Sequence, residues 1–131
     1  MSKKVNMPFG SLELHDHFTI GIINEGEDLR SDQNISIIEA CTNYYKNNNF
    51  GYISNRINSY SVDPTVYIKT SKLANLVAIA VVISDPAQKL SADIEKVFFA
   101  KPFEYFTSLL EAKTWIRNMV LLKNQQRKNL S

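Results

Sequence analysis

Residues 76–83 read Leu-Val-Ala-Ile-Ala-Val-Val-Ile, an apolar run without a polar break and rich in β-branched side chains. A strand with one wet face alternates polar and apolar residues, so an unbroken run needs cover on both faces. A bilayer span needs about 20 apolar residues, and this run is far shorter. It predicts a central strand of a mostly parallel sheet, and Asp85-Pro86 closes it.

The flanking segments supply the neighbours such a strand requires. Leu12 and Leu14 alternate with Ser11, Glu13 and His15, and Phe18, Ile20 and Ile22 alternate with Thr19, Gly21 and Ile23. Residues 11–24 therefore predict a hairpin turning at Asp16-His17, followed by a polar turn over Asn24–Asp28. A helix is expected from Asp32 or Asn34 to Lys46, with Ser36 and Glu39 at capping-box spacing and Asp32 and Asn34 as rival caps. Ile37, Ile38, Cys41, Tyr44 and Tyr45 form its buried stripe, and Asn47-Asn48-Asn49 ends it. A strand over Phe50–Ile53, reaching as far as Ile57, runs into the polar stretch Ser54–Ser61.

Asp63-Pro64 has the form of a helix start, and the helix it opens is short, ending near Leu73. A third helix is expected over Ser91–Phe99, with Ile94, Val97 and Phe98 turned inward. Pro102 sets off an edge strand, Phe103–Phe106. Ser108-Leu109-Leu110-Glu111 is a capping box opening a final helix to about Leu122, with Leu109, Ala112, Ile116, Met119 and Val120 along one face. The order is β-β-α-β-α-β-α-β-α. It predicts one α/β domain over 9–122, a mostly parallel sheet with an antiparallel N-terminal edge hairpin, and helices mainly on one face. Residues 1–8 and 123–131 are expected to be tails, the second one basic.

Composition excludes several function classes. The chain has 131 residues, 44% apolar and 21% charged, which fits a globular domain rather than a disordered one. Lys plus Arg is 15 against 13 for Asp plus Glu, too even for a bulk polyelectrolyte binder. Lys3, Lys4, Lys123, Arg127 and Lys128 crowd the ends and leave the body acidic. No strand interleaves aromatic with basic residues, so nucleic-acid binding is not expected. Cys41 is the single cysteine, which rules out an internal disulfide and a cysteine-based zinc site and fits a reducing cytoplasm. The N-terminus has two lysines but no apolar segment behind them, so no secretory signal is read there.

The stretch Ser54–Ser61 is the candidate site, because ligands of open α/β sheets bind beyond the carboxyl ends of the strands. Arg56 has the planar fork to grip an anion, with Ser54, Asn55 and Asn58 as further hydrogen-bonding groups, Ser59 and Ser61 as hydroxyls, and Tyr60 and Tyr67 as an aromatic wall. The same residues also read as scaffold: Arg56 paired with Glu25 or Asp28 from the preceding turn, Asn and Ser holding loop backbone, the tyrosines packing. His15-Asp16-His17 includes metal-ligating types, but three adjacent residues on a tight turn do not converge on one ion. Asp85 reads as a turn cap or, less simply, as a site residue. The glycines, at 10, 21, 26 and 51, form no phosphate loop, and neither histidine meets a nucleophile by any evident pattern. No enzyme activity, metal or cofactor is expected.

The strand–helix alternation, the helix entering at Asp63-Pro64 and the ending Pro102–Ile116 resemble the small bacterial STAS/CRAL-TRIO-like proteins, often called anti-sigma-factor-antagonist-like. Phe106–Ile116, an aromatic strand end, a capped turn and an Ala-x-x-Trp-Ile helix, is the most specific part. The resemblance implies a cytoplasmic regulatory or protein-interaction module with an unknown protein partner. Its CRAL-TRIO side implies instead a carrier for a small anionic or lipid ligand, with Arg56 at the headgroup. Anti-sigma antagonists carry a phosphorylated serine at the start of the helix after the third strand. The matching region here, Ser59–Thr65, has Ser59 and Ser61 as candidate phosphorylation positions but lacks the glycine and the surrounding motif.

Overall fold

The computed structural model describes residues 2–129. Its elements are β1 (Lys3–Met7), β2 (Gly10–Leu14), β3 (Phe18–Ile23), β4 (Asp28–Leu29), α1 (Ser31–Tyr45), β5 (Phe50–Arg56), β6 (Ser61–Val62), α2 (Val66–Thr70), β7 (Leu76–Ile83), α3 (Ala87–Phe98), β8 (Phe103–Phe106) and α4 (Leu109–Asn129). Six strands make one sheet in the order β1-β2-β3-β5-β7-β8, and β4 and β6 form a small parallel pair beside it. β2 pairs antiparallel with both β1 and β3, whereas β3, β5, β7 and β8 are mutually parallel. This is the expected α/β domain, with its antiparallel edge at the N-terminus.

β7 has every residue buried, as an unbroken apolar run demands. Phe50 pairs with Leu76 but Tyr52 pairs with Ile79, so β7 carries one extra residue there. That bulge lets Val77 and Ala78 both join the α4 layer, while Leu76, Ile79, Val81 and Ile83 face the opposite layer. α1, α2 and α3 cover that second face, and α4 alone covers the first, so three of four helices share one side. α4 buries Ala112, Ile116 and Val120 as its stripe predicts, with Leu109 and Met119 at its margins. Trp115 is only half-buried and lies against Phe106 at 5.6 Å between ring centroids.

The hairpin closes where expected: the His15 N–H donates to the Phe18 carbonyl at 2.9 Å across Asp16-His17. Ser108 caps α4 through the Glu111 N–H, and the Asp85 carboxylate accepts the Ala87 N–H at 2.9 Å at the start of α3. Asp63 likewise accepts the N–H and hydroxyl of Thr65 ahead of α2.

Several boundaries differ from the sequence reading. Residues 3–7 are not a tail but an edge strand, because Val5 and Met7 alternate inward against the core cluster while Lys3 and Lys4 stay in water. Two apolar residues in a basic segment are too weak a signal to mark a strand. The basic C-terminal segment continues α4 to Asn129, helped by good helix formers and by Asn49 donating to Asn124 at 2.8 Å. Met1, Leu130 and Ser131 of the two expected tails lie outside the described residues. α1 begins at Ser31, one turn before Asn34: the Gln33 side chain accepts the Arg30 N–H at 3.0 Å, so neither Asp32, Asn34 nor Ser36 caps it. At its other end the positive φ of 56° falls on Lys46 rather than on the asparagines. α2 is shorter than expected, and α3 begins at Ala87, four residues before Ser91.

α4 comes down closely onto the sheet at Gly51, where an added Cβ would sit 2.6 Å from Cγ2 of the fully buried Ile116. Gly51→Ala is expected to destabilise by about 1–3 kcal/mol through overpacking, and Ile116→Ala by about 2–5 kcal/mol through the cavity it leaves. Because the new methyl would occupy space vacated by the isoleucine, the double variant should cost less than the sum. Urea unfolding of the four proteins measures this.

Candidate functional site

The residues of the candidate site are brought together, but around a partner that the sequence did not suggest. β5 alternates, so Phe50, Tyr52, Ser54 and Arg56 point to the α1–α3 face while Gly51, Ile53 and Asn55 point the other way. Arg56 is 4% exposed and Glu95, on α3, is 1% exposed. They meet end-on in a bidentate pair, Nη1 to Oε2 at 2.6 Å and Nη2 to Oε1 at 2.5 Å. The Tyr67 hydroxyl donates to Oε1 at 2.6 Å and the Ser91 hydroxyl to Oε2 at 2.8 Å. Glu95 thus receives four donors, which saturates a carboxylate. Arg56 also donates through Nε to Ser54 Oγ at 3.1 Å, and Ser54 shares a 2.9 Å bond with the Tyr60 hydroxyl. The guanidinium lies 5.5 Å from the Tyr60 ring centroid.

Arg56 pairs with neither Glu25 nor Asp28. Glu25 instead accepts the Ser59 N–H at 2.9 Å, and Asp28 pairs with Arg30 at 3.4 Å and accepts from the Ser61 hydroxyl. Sequence distance explains the error: the turn is nearer in the chain, but Arg56 is a strand residue whose face looks at α3. Asn58 donates to the Ile23 carbonyl at 2.9 Å, holding loop backbone as one reading of the sequence had it. Asn55 is half-buried on the α4 side of the sheet, away from Arg56. Ser59 and Ser61 are exposed, and Ser61 belongs to β6. Tyr67 is buried in the core, against Phe103 at 5.7 Å.

The electrostatics follow from burial. Loss of water, the largest single influence, would by itself push the Arg56 pKa down. The Glu95 hydrogen bonds together with the charge interactions of Tyr60, Tyr67 and Glu95 outweigh it and hold the guanidinium charged. Burial first, and the Glu95 charge second, push the Tyr67 pKa well up, so its phenol remains a proton donor. On the far side of the same layer, burial raises the Cys41 thiol to about 11, partly offset by its contact with Thr19. A thiol so shifted is a poor nucleophile at neutral pH.

An interior cavity of about 40 Å3 lies between α1, α2 and the sheet, lined by Ile37, Cys41, Tyr52, Tyr60, Tyr67 and Ile79 among others. Small-molecule sites run to roughly 300–1,000 Å3, so this space suits a water or two rather than a lipid chain. His15 is held by Glu13 at 3.1 Å and packs on Phe18. Among the described residues no group of three His, Cys, Asp or Glu side chains converges, and no helix is long and apolar enough to cross a membrane.

The residue that sequence reading missed is Glu95, and with it the orientation of α3. At 3.6 residues per turn, Gln88, Ala92, Glu95 and Phe99 fall on one side of that segment, and Leu90, Ile94 and Val97 on the opposite side. Ala92, Glu95 and Phe99 are buried, whereas Leu90 is 68%, Ile94 49% and Val97 81% exposed. Ile94 and Val97 therefore point outward, not inward as expected, and Phe98 is half-buried. The helix is amphipathic with its apolar side toward solvent. The one available signal was Ser91 and Glu95 four residues apart, a hydroxyl and a carboxylate on the same side of the segment.

No family model matches the sequence, and no curated protein matches it significantly. Among solved structures, an uncharacterised protein of the DUF3478 family with a SpoIIAA-like fold, from Shewanella loihica PV-4, superposes with a TM-score of 0.52 at 12% identity, covering 88% of this chain and 92% of that one. That likeness is one of fold. The chain has a SpoIIAA-like fold, the STAS-like fold that the resemblance implied.

Two measurements test the site's physics. Glu95→Gln strips the charge from Arg56's partner and should cost about 3–5 kcal/mol, whereas replacing both residues by Met should cost far less than the two single losses together. Alkaline titration tests Cys41. Below its ordinary value of 9.0 the thiol is neutral in both states and stability is whole. Between pH 9 and about 11 the unfolded chain ionises while the folded one does not, so stability should fall by up to about 3 kcal/mol. The buried tyrosines, also shifted upward, deepen the fall above pH 10. Cys41→Ala should remove the part that begins below pH 10 in urea melts.

Proposed function

We propose that this chain is a non-enzymatic protein-interaction module of the STAS class, working in the cytosol, whose docking face is the outer side of α3. The observation that carries this reading is the reversed amphipathicity of α3. Burying Leu90, Ile94 and Val97 against the sheet would be favourable by roughly 1.5–3 kcal/mol per side chain, yet the fold presents them to water and buries Glu95. An exposed apolar stripe rimmed by polar residues is how interaction surfaces are built. Ile57 and Ile68 add exposed apolar area, the first beside the turn where Gln88 holds the Arg56 and Asn58 carbonyls at the start of α3.

The polar stretch serves this face from beneath and from its margin. Ser54 and Arg56 hold α3 through Glu95 and Tyr60 completes their network, while Asn58 anchors the loop and Ser59 and Ser61 remain open at the surface. A phosphoryl group on Ser61 would meet the Asp28 carboxylate it now bonds, with Asp63 two residues on. Modification there would part β4 from β6 by repulsion. A carrier role has little support, since the interior cavity is about 40 Å3.

Cross-linking in the native host tests the reading, comparing the natural protein with Ile94→Lys/Val97→Lys after circular dichroism has shown both folded. A partner held by the first and lost by the second is expected. Retention of every partner by the variant would refute the docking face.

A further inference from the structure

The apolar stripe of α3 is flanked on one side by Lys89, Asp93 and Lys96, spaced i, i+4, i+7. This flank looks toward the β8 edge, where Lys89 lies 5.4 Å from the Tyr105 ring and Lys96 lies 3.5 Å from Glu104. The opposite flank, with Ser91 and Phe98, carries no charge at the helix surface. We infer that the partner of this face is a second copy of the same chain, docked with α3 antiparallel to α3 about a two-fold axis. The inference rests on α3 being the docking face and goes beyond it by naming the occupant.

Symmetry supplies the argument. A two-fold axis lying between two stacked antiparallel helices reverses their direction but sets like flank against like flank. With the axis crossing α3 between Asp93 and Ile94, Leu90 lies opposite Val97 of the second copy and the two Ile94 side chains meet near the axis. In that register Asp93 falls two residues, about 3 Å of helix rise, from the level of Lys96 of the second copy, and the reciprocal pair forms by symmetry. The lysine–aspartate–lysine row is self-complementary in this arrangement. A parallel pairing would set the charged flank against Ser91 and Phe98 instead. The apolar stripe provides affinity, and the exposed charges fix direction and register.

One helix face on each side is a small contact, below the roughly 1,200 Å2 of stable complexes, so the pairing belongs to the weak, concentration-dependent class. Sedimentation equilibrium of the full chain at low salt reads it. The weight-average mass should climb with concentration from 15.0 kDa toward twice that value, and Val97→Asp, changing an exposed side chain, should abolish the climb with an unchanged melting temperature. Asp93→Lys and Lys96→Asp should each stay single, since both place like charges together, and an equimolar mixture of the two should associate. A natural protein that keeps the single-chain mass up to about 1 mM overturns self-pairing. If host cross-linking nevertheless shows a partner lost with Ile94→Lys/Val97→Lys, the docking face stands and only its occupant is wrong. Association of the natural protein without association of the charge-variant mixture overturns the antiparallel register.

Discussion

A carboxylate and a guanidinium are both excluded from water at the centre of this protein, and neither would be tolerable there alone. Glu95 is satisfied by Arg56, Tyr67 and Ser91, and Arg56 by Glu95 and Ser54. The participants come from β5, α2 and α3, with Tyr60 joining from the loop between β5 and β6. These elements are far apart in sequence, so the network fixes their mutual positions. A buried ion pair is not an efficient source of net stability, because desolvation consumes most of its attraction. Its value is directional, since a fork that meets a carboxylate end-on accepts one orientation of the helix bearing it.

That orientation has a consequence for the surface. Had α3 been held by aliphatic contacts, its apolar side would have faced the sheet and the outer surface of the domain would have been polar. Anchoring by Glu95 rotates the helix the other way and leaves Leu90, Ile94 and Val97 in water. The cost of that exposure is compensated elsewhere, by β7 buried on both faces and by the α4 layer, where Gly51 permits Ile116 to come down onto the sheet. The α4 layer and the Arg56–Glu95 network are thus on different sides of the sheet. α4 with β3, β5 and β7 forms a dry aliphatic layer, and α3 sits over a polar one.

The sequence carried the layer built on simple periodicity. The run at 76–83, the hairpin turn at Asp16-His17, the edge strand at 103–106 and the Ser108 cap each depend on local rules, and each stands in the structure. Local reading lost accuracy where the signal was thin: two inward residues in β1, a two-residue pairing at β4 and β6, and an arginine as the N-terminal cap of α1. It failed outright at α3. Ile94, Val97 and Phe98 have the spacing of a core stripe, and nothing within the helix states that a glutamate on the opposite side will be the buried one.

Periodicity along the chain was sufficient to determine that this is an α/β domain with an interior strand at its centre, because an unbroken apolar strand admits no wet face. It also determined the hairpin turn and the start of α4 at Ser108, where a turn or cap is a matter of adjacent residues. Which side of α3 faces the sheet was decided only in three dimensions. The preference of a helix for burying its apolar side is worth a few kcal/mol, and a buried arginine left without a counter-charge would cost as much or more. The direction in which Arg56 points depends on the alternation of β5, and what it meets depends on the packing of a helix 39 residues further along the chain.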